Sequence, residues 1–221
     1  MELDLPVHEG VVHAAYAGSR EDVAALVPAA ARRVLDVGCS TGAFGEYLGT
    51  RGHEVTGLEV EPTLAAEARP RLRRVVEADV EVLARSDTDM GGPFDCVVFA
   101  DVLEHLRDPW VVVRWGAGLL AEGGSVVISV PNVRHIRLVR TVLRHRHWPY
   151  DQVGIFDRTH LRWFAFRNLP ELLEGTGLSI TELRRTRAVT IRPADRVNRL
   201  APLMGDFGTL QFLFRAERQS A

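Results

Sequence analysis

Short apolar runs alternate with amphipathic stretches along the chain from residue 33 onward. The strand-like runs are Arg33–Val37, Glu54–Glu59, Arg74–Ala78, Phe94–Ala100 and Gly124–Val130. The helix-like segments between them lie near 43–51, 62–69, 80–86 and 108–120. Near-continuous apolar strands that alternate with helices are typical of a parallel sheet covered on both faces. The pattern therefore predicts an α/β fold.

The alternation changes after Val130. A polar, aromatic insertion runs from 131 to 166, and a helix near 168–175 and strands near 178–186 and 209–216 follow it. Residues 1–30 are predicted to form short helices that serve as a lid. Because 221 residues without a repeat or linker fit one hydrophobic core, we expect a single domain.

The composition excludes several classes of function. The formal net charge of −2 gives no basic field of the kind that attracts nucleic acid. No apolar run approaches the ~20 residues that cross a bilayer, and the first ten residues lack the pattern of a secretory signal. The two cysteines have neither disulfide nor metal spacing. We therefore expect a cytoplasmic protein without a nucleic-acid or membrane partner.

The sequence contains no lysine, so every basic residue apart from histidine is arginine. Lysine-dependent Schiff-base chemistry is thereby excluded, as are the phosphate lysine of a P-loop and a Tyr-Lys catalytic pair.

A glycine-rich loop follows the first predicted strand. Glycines at positions 38, 42 and 45 surround Cys39 and Ser40, and a helix begins directly afterwards. Glycine allows positive φ and close approach of a ligand to the backbone, and a helix N-terminus adds hydrogen-bond donors. Dinucleotide-binding domains use a similar loop, so this motif alone predicts a nucleotide site without identifying the nucleotide.

Two acidic residues end the next predicted strands. Glu59 ends the second strand, at the position where a carboxylate can accept both hydroxyls of a ribose. Asp79 ends the third strand, where it can reach an adenine amino group while Val80 packs on the ring. Ligands of open α/β sheets bind at the carboxyl ends of strands, so we expect these residues and the loop to converge.

The segments LDVGCSTGAFGEYL, GLEVEP, EADVEVL, FDCVVFADVLEHLRDP and GGSVVISVPN occur in that order over about residues 30–185. This series resembles the motifs of class I methyltransferases that depend on S-adenosylmethionine (SAM). The resemblance implies a Rossmann-like, seven-stranded, mostly parallel sheet with helices on both faces and an antiparallel last strand at 209–216. It also implies that Asp36 lies beside the amino-acid end of SAM, that Glu59 holds the ribose and that Asp79 meets the adenine. The expected cofactor-binding residues are Tyr16, Asp36, Gly38, Cys39, Ser40, Gly42, Glu59, Val60, Asp79, Val80, Ala100 and Asp101.

The charges of the site agree with this cofactor. SAM has a sulfonium, an ammonium and a carboxylate but no phosphate, so acids without lysine suit it better than they suit a pyrophosphate. Methyl transfer needs the acceptor held in line with the methyl group, and a hydroxyl acceptor also benefits from a base.

Two histidines are candidates for that base. His160 lies in FDRTHLRWF, which resembles a D-x-x-H-L-R-x-F segment of methyltransferases related to the ubiquinone-pathway O-methyltransferases. We predict His160 as a base or substrate ligand, with Asp157 orienting its ring. His105, after the fourth strand, is the second candidate, although the resemblance implies that its segment mainly lines the cofactor pocket.

A metal site is an alternative hypothesis. Asp101, Glu104 and His105, together with His160, resemble the ligand set of some metal-dependent RNA 2′-O-methyltransferases, and such mixed ligands can hold a divalent ion. The Glu-His pair also occurs in relatives without a metal role, so the sequence predicts no metal and leaves this alternative open.

The insertion contains a basic, amphipathic segment. On a helix, Arg134, Arg137, Arg140 and Arg144 share one side, and Ile136, Val139, Val142 and Leu143 fall on the other. The arginines form either a solvated face or a docking strip for an anionic acceptor. The six aromatic residues between 148 and 166 either wall an acceptor pocket or pack the insertion onto the sheet.

Together these features predict methyl transfer from SAM to a hydroxyl of a small molecule. An amine or carbon acceptor is an alternative, as is a SAM-binding module without catalysis. A short-chain oxidoreductase shares the glycine spacing but needs the Tyr-Lys pair. The acceptor stays unidentified, and a homodimer is one possible assembly.

Overall fold

One sheet organises the chain. The computed structural model describes residues 18–86, 88–186 and 205–218. The strands are β1 (Arg33–Val37), β2 (Glu54–Glu59), β3 (Arg74–Glu77), β4 (Phe94–Ala100), β5 (Leu120–Pro131), β6 (Leu178–Thr186) and β7 (Gln211–Arg218). The helices are α1 (Glu21–Ala24), α2 (Ala43–Thr50), α3 (Pro62–Ala68), α4 (Val80–Leu83), α5 (Pro109–Gly118), α6 (Ile136–His145) and α7 (Asn168–Glu171). Leu103–His105 and Gly205–Gly208 are 3₁₀ turns.

The seven strands lie in the order β3-β2-β1-β4-β5-β7-β6. Strands β1 to β5 pair in parallel with their neighbours, and β7 lies antiparallel between β5 and β6. The predicted mostly parallel, seven-stranded sheet with an antiparallel last strand is therefore confirmed. The order also places the carboxyl ends of β1 and β4 side by side at the centre of one edge, where open α/β sheets bind ligands.

Each central strand contributes to two hydrophobic clusters, one on each face of the sheet. In β1, Leu35 and Val37 belong to the cluster that also contains residues of α5, whereas Val34 belongs to the cluster that contains residues of α2. Successive side chains of a strand point to opposite faces, so an apolar run without polar interruption is needed where helices cover both. This requirement explains why the central strands lack a hydrophobic-polar alternation.

The N-terminal segment and the insertion depart partly from expectation. Val23 and Leu26, in and after α1, have no exposed surface and pack in the core. Residues 1–17 of the predicted lid lie outside the described residues, so the lid stays a prediction. In α6 the predicted arginine side is exposed. The prediction for Leu143 is wrong, because 75% of this residue is exposed and Leu138 is the buried residue of the helix instead.

Leu143 follows Leu138 by five residues, about 140° around a helix of 3.6 residues per turn, so the two leucines face different sides. His135 is the N-cap residue and its ring accepts a hydrogen bond from the backbone N–H of Arg137, so Arg134 precedes the helix. Leu138 packs with Ile155 and Phe156 in a small cluster that joins α6 to the rest of the insertion.

In the described part of the chain, no helix combines the length and the apolar character needed to span a membrane.

The close packing around Gly57 in β2 gives a test of the fold. A Cβ atom at this position would lie 2.5 Å from Cys39 Sγ and 2.6 Å from Leu72 Cδ1. We expect Gly57→Ala to lower the free energy of unfolding by about 1–3 kcal/mol, because overpacking a core displaces its neighbours. Gly49→Ala in α2 is the matched control, since nothing lies within 4 Å of the added atom and alanine is the better helix former. Equal destabilisation of both variants in urea titrations would contradict this assignment.

Candidate active site

A cavity of about 640 Å³ lies at the carboxyl ends of β1, β2 and β4. The insertion forms the opposite wall through Gln152 and residues 157–159. The predicted residues that line the cavity are Gly38, Ser40, Glu59, Val60, Asp79, Val80, Ala100, Asp101, His105 and Asp157. Four other predicted residues, Asp36, Cys39, Gly42 and His160, lie outside this lining. Tyr16 lies outside the described residues.

The end of β2 holds the glycine loop in place through two backbone hydrogen bonds. The backbone N–H groups of Gly38 and Cys39 both donate to the carbonyl of Leu58, at 2.8 and 3.0 Å. Gly38 has φ +72°, and a Cβ atom there would lie 2.5 Å from Val102 Cγ2. Both observations require glycine, because the loop must pass close to the segment that follows β4.

Cys39 supports the loop rather than facing the cavity. Its side chain is buried and would collide with any side chain at position 57. Burial raises the pKa of the Cys39 thiol well above its usual value, and the charges of Asp36 and Glu59 add to this shift. The thiol is therefore neutral and acts in packing.

Glu59 joins the loop to the end of β2. One carboxylate oxygen accepts from the backbone N–H of Ser40 at 2.8 Å, and the other accepts from the N–H groups of Val60 and Glu61, each at 3.0 Å. A carboxylate has about four acceptor positions, so these three bonds leave capacity for a ligand hydroxyl. Glu59 therefore shapes the loop and also lines the cavity.

Asp36 lies in β1 beneath the loop and is 2% exposed. Its Oδ2 atom has no hydrogen-bond partner among the described residues. Burial, together with the charge of Glu59, raises the pKa of Asp36 to about 8. A buried, ionised carboxyl group without a partner is unfavourable, which is why the pKa of Asp36 is raised.

Asp79 and Glu81 both line the cavity, and each accepts backbone hydrogen bonds that fix the wall around α4. Asp79 is the N-cap residue of α4 and accepts from the backbone N–H of Glu81 at 2.7 Å. The Glu81 carboxylate in turn accepts from the N–H groups of Arg107 and Asp108, at 3.1 and 2.9 Å. Thus Glu81, which no sequence motif singled out, ties α4 to the segment before α5.

Asp101 is at the centre of a polar network. One of its oxygens accepts from the hydroxyl of Ser129 at 2.6 Å and from the amide of Gln211 at 2.8 Å. The other accepts from the guanidinium of Arg20. Asp101 also has φ +56°, which a non-glycine residue adopts only when its surroundings hold it. The network links the N-terminal segment and β7 to the cavity wall.

The two candidate histidines lie together. Their ring centroids are 4.9 Å apart, in an edge-to-face arrangement, although only His105 is part of the cavity wall. Nδ1 of His105 lies 2.9 Å from the hydroxyl of Thr159, which in turn donates to Asp157 at 2.6 Å. Asp157 therefore acts on His105 through Thr159, a residue that no sequence motif singled out. The orientation of His160 by Asp157 stays a prediction.

Both rings are neutral near pH 7. Burial lowers the pKa of His105, against an opposing effect of the charge on Asp157. Burial and the nearby His105 lower the pKa of His160 to about 4. A neutral imidazole has one nitrogen free to accept a proton or to bind a cation.

The structure changes the membership of the alternative metal set. Glu104, His105 and His160 place one potential ligand atom each within 4.8 Å of one another. Asp101 is not part of this group among the described residues. Both of its oxygens are engaged by Ser129, Gln211 and Arg20.

The fold and the cavity agree with one family of known proteins. A family model described as a methyltransferase domain matches residues 12–183, which is most of the chain. The chain belongs to this methyltransferase-domain family.

Solved structures confirm the fold of the methyltransferase domain. A SAM-dependent methyltransferase from Archaeoglobus fulgidus has a TM-score of 0.66 and 19% identity, with coverage of 96% of this chain and 100% of the other. Magnesium protoporphyrin IX methyltransferase from Synechocystis, with bound S-adenosylhomocysteine, has a TM-score of 0.65 and 16% identity, with coverage of 99% and 90%. The predicted Rossmann-like methyltransferase fold is therefore confirmed.

Curated relatives match a shorter stretch. The ubiquinone biosynthesis O-methyltransferase of Xanthomonas axonopodis pv. citri is 36% identical over 115 residues, which are 51% of this chain and 48% of that protein. The enzyme of the same name from Xanthomonas campestris pv. campestris (strain B100) is 37% identical over 113 residues, 50% of this chain and 47% of the other. The chain thus spans about half the length of the curated relatives it matches.

The raised pKa of Asp36 predicts how stability depends on pH. The ordinary value is 3.8 and the folded value about 8, so between these pH values the folded methyltransferase domain binds the extra proton. The free energy of unfolding therefore falls as pH rises through this window. The amide in Asp36→Asn has no such proton to lose. We expect this variant to be more stable than wild type by at least about 1 kcal/mol at pH 8, and the advantage should disappear toward pH 4.

Urea titrations at several pH values measure this difference. The control is Glu67→Gln in α3, which removes an acid that is exposed. A stability difference between Asp36→Asn and wild type that does not change with pH would show that Asp36 is ionised in the folded domain.

Proposed function

We propose that this chain transfers a methyl group from SAM to a hydroxyl oxygen of a small-molecule acceptor. The observation that supports this most directly is the shared cavity. The glycine loop and Glu59 form one part of its wall, and a neutral imidazole, His105, lies in the same wall beside the insertion. One cavity therefore has room for both a nucleoside and an acceptor.

The residues on the loop side suit SAM. Glu59 would bind the ribose hydroxyls, and Asp79 with Val80 would bind the adenine. The unpartnered oxygen of Asp36 suits the ammonium group, because a cation there would favour the ionised carboxylate. SAM supplies a methyl group that the neighbouring sulfonium makes reactive. The absence of lysine supports this cofactor over a pyrophosphate-containing nucleotide.

The acceptor side lies at the insertion. The acceptor oxygen takes the methyl group as the carbon–sulfur bond breaks, and the hydroxyl proton must leave. Thr159 and Asp157 fix the ring of His105 through Nδ1, so Nε2 is the atom that would accept this proton.

An oxygen acceptor is supported by the relatives that match half of the chain, which are O-methyltransferases of ubiquinone biosynthesis. An amine or carbon acceptor and a module that binds SAM without catalysis are the alternatives. Incubation with SAM and a panel of hydroxylated, aminated and carbon-nucleophile acceptors distinguishes them, with S-adenosylhomocysteine measured by mass spectrometry. Product with hydroxylated compounds alone supports the proposal. SAM binding without turnover on a broad panel would favour the binding module.

Glu59 provides the test of the cofactor site. In Glu59→Gln an amide NH₂ replaces one of the oxygens that accept backbone N–H groups from Ser40, Val60 and Glu61. We expect the Kd for SAM to rise tenfold or more, since a good hydrogen bond to a charged group contributes roughly 1.5–3 kcal/mol. Isothermal titration calorimetry measures this, with Glu67→Gln as the control of equal charge change. Unaltered SAM affinity in Glu59→Gln, or tighter binding of NAD(P) than of SAM, would contradict the cofactor assignment.

We further propose that the acceptor is anionic. The arginines at 137, 140 and 144 are exposed on α6, and this helix packs through Leu138 on Ile155 and Phe156. The same stretch of the insertion supplies Gln152 and Asp157 to the cavity. The basic side of α6 therefore belongs to the element that forms the acceptor wall.

Charge reversal on α6 tests this. We expect Arg137→Glu/Arg140→Glu to raise KM several-fold for a phosphorylated or carboxylated acceptor and to leave KM for SAM unchanged, because like charges would then oppose docking. Arg32→Glu/Arg218→Glu makes the same charge change at other exposed positions. An acceptor KM that is equal in both double variants would contradict docking of the acceptor on α6. The arginine side of α6 would then be an ordinary solvated face.

We also propose that the protein is cytoplasmic and forms a homodimer. We propose no nucleic-acid or membrane partner. The location is supported by Cys39 and Cys96, which are both buried free thiols. Such thiols are usual in proteins of reducing compartments. Sedimentation of the purified protein measures the oligomeric state.

A further inference from the structure

Arg158 is the only arginine that lines the cavity among the residues that the structure describes. It belongs to the insertion, which forms the wall opposite the glycine loop. The acidic residues of the same lining are Glu59, Asp79, Glu81, Asp101 and Asp157. Acids suit a cationic cofactor, whereas a guanidinium does not. The presence of Arg158 in this cavity therefore requires a separate explanation.

The guanidinium of Arg158 has no ion-pair or hydrogen-bond partner in the described part of the chain. Two other arginines of this region are engaged, since Arg20 pairs with Asp101 and Arg162 donates to the carbonyl of Arg107. A guanidinium has five N–H donors and no acceptor. All five donors of Arg158 are therefore available to a ligand in the cavity.

Backbone hydrogen bonds fix the position of Arg158. Its N–H group donates to the carbonyl of Asp151 at 3.0 Å, and the N–H group of Asp151 donates to the carbonyl of Phe156 at 3.0 Å. Phe156 is buried and packs with Leu138 of α6. Residues 151–158 thus form a closed turn on an apolar base, and this turn supplies Arg158 to the cavity wall.

Gln152 supplies a second donor from the same turn. Its side chain is exposed, lines the cavity and has no hydrogen-bond partner within the described ranges. A glutamine amide has two N–H donors, and the guanidinium presents its donors as a planar fork. Such a fork binds the two oxygens of a carboxylate through parallel N–H···O bonds. Arg158 and Gln152 together therefore suit a carboxylate.

The acids of the lining favour a carboxylate over a phosphate. A carboxylate has one negative charge, whereas a phosphate attached to a hydroxyl has about −1.5 to −2 at pH 7. The one guanidinium of the lining compensates a single charge, and the acidic residues repel any further charge. The charge of the cavity thus selects the singly charged anion.

We propose that Arg158 and Gln152 bind a carboxylate group of the methyl acceptor, so that the acceptor is a hydroxy acid. This inference rests on the proposed methyl transfer to a hydroxyl and names the class of compound that receives the methyl group. Arg158 precedes Thr159, whose hydroxyl lies 2.9 Å from Nδ1 of His105. One stretch of the insertion therefore binds the carboxylate and fixes the ring that would accept the hydroxyl proton. Holding both ends of the acceptor orients it for in-line transfer.

The carboxylate of SAM is the other anion within this cavity. The amino-acid end of SAM is expected beside Asp36 and the glycine loop, whereas Arg158 lies on the opposite wall. The affinity for SAM therefore distinguishes the two roles of Arg158. The arginines of α6 do not line the cavity, so docking on that helix is a separate prediction.

Matched acceptors test the carboxylate on the full chain. The probes are protocatechuate and mandelate, each compared with its carboxamide and its phosphonate analogue. We expect KM for the acids to be lower than KM for the amides by about tenfold or more, because charge-assisted hydrogen bonds are the stronger ones. In Arg158→Gln this preference should disappear, while KM for the amides and the Kd for SAM stay unchanged. Arg158→Lys should keep part of the preference, because an ammonium group retains the charge but not the planar fork.

Arg167→Gln is the matched control, since Arg167 is exposed and does not line the cavity. This variant makes the same charge change and should keep the preference for acids. Gln152→Glu replaces an amide donor with a like charge and should raise KM for the acids alone. Replacement of Arg158 removes no side-chain contact of the described fold, and circular dichroism confirms that each variant folds.

Equal KM values for acids and amides in the wild type, or a preference for the phosphonates, would overturn the proposal. A Kd for SAM that rises tenfold in Arg158→Gln, with the preference for acids unchanged, would assign Arg158 to the cofactor and overturn it as well. The loss of preference in Arg158→Gln but not in Arg167→Gln supports it.

A binding measurement separates this inference from the proposed function. Calorimetry with the same probes, in the presence of S-adenosylhomocysteine, measures acceptor binding without turnover. Binding of the acids that depends on Arg158, in a chain that transfers no methyl group to any hydroxyl, would reject the proposed function and keep the carboxylate site. Methyl transfer to acids and amides with equal KM would reject the carboxylate site and keep the methyltransferase.

Discussion

The carboxyl end of β2 determines the shape of the loop on which the rest of the site depends. The carbonyl of Leu58 accepts two loop N–H groups, and the carboxylate of Glu59 accepts three N–H groups from its surroundings. The loop can approach this strand end only because Gly57 leaves room for Cys39 and because Gly38 leaves room for Val102. Without these contacts the backbone donors of the loop would lack acceptors, and the cavity would lose one wall.

Two buried acids lie near the carboxyl ends of the neighbouring strands β1 and β4. Asp36 and Glu104 are both almost completely buried, each has an oxygen without a hydrogen-bond partner among the described residues, and both have pKa values raised to about 8. Stability alone does not favour such groups, whereas binding of a cation does. Asp36 lies in β1 beneath the glycine loop, and Glu104 lies in the turn after β4 to which the insertion is attached.

The insertion adds a wall to the cavity at this sheet edge. It contributes cavity residues through the Gln152–Thr159 stretch, it is attached to Glu104 by two backbone hydrogen bonds, and it packs its own helix, α6, on Ile155 and Phe156. The Asp101 network performs a similar task on the other side by linking Arg20 and Gln211 to the wall. The fold is common to many methyltransferases, so the proposed acceptor specificity would have to come from such additions to the sheet.

The sequence by itself determined the strand and helix order, the glycine loop and the acids at 36, 59 and 79, because these follow from local patterns and from the rule that ligands bind at strand ends. The tertiary structure alone decided the rest. Thr159 contacts His105, and Asp101 is engaged by Arg20 and Gln211. Of the four residues that the sequence grouped as an alternative ligand set, the structure brings together Glu104, His105 and His160. Side-chain partners depend on how loops pack, and no local periodicity encodes that packing.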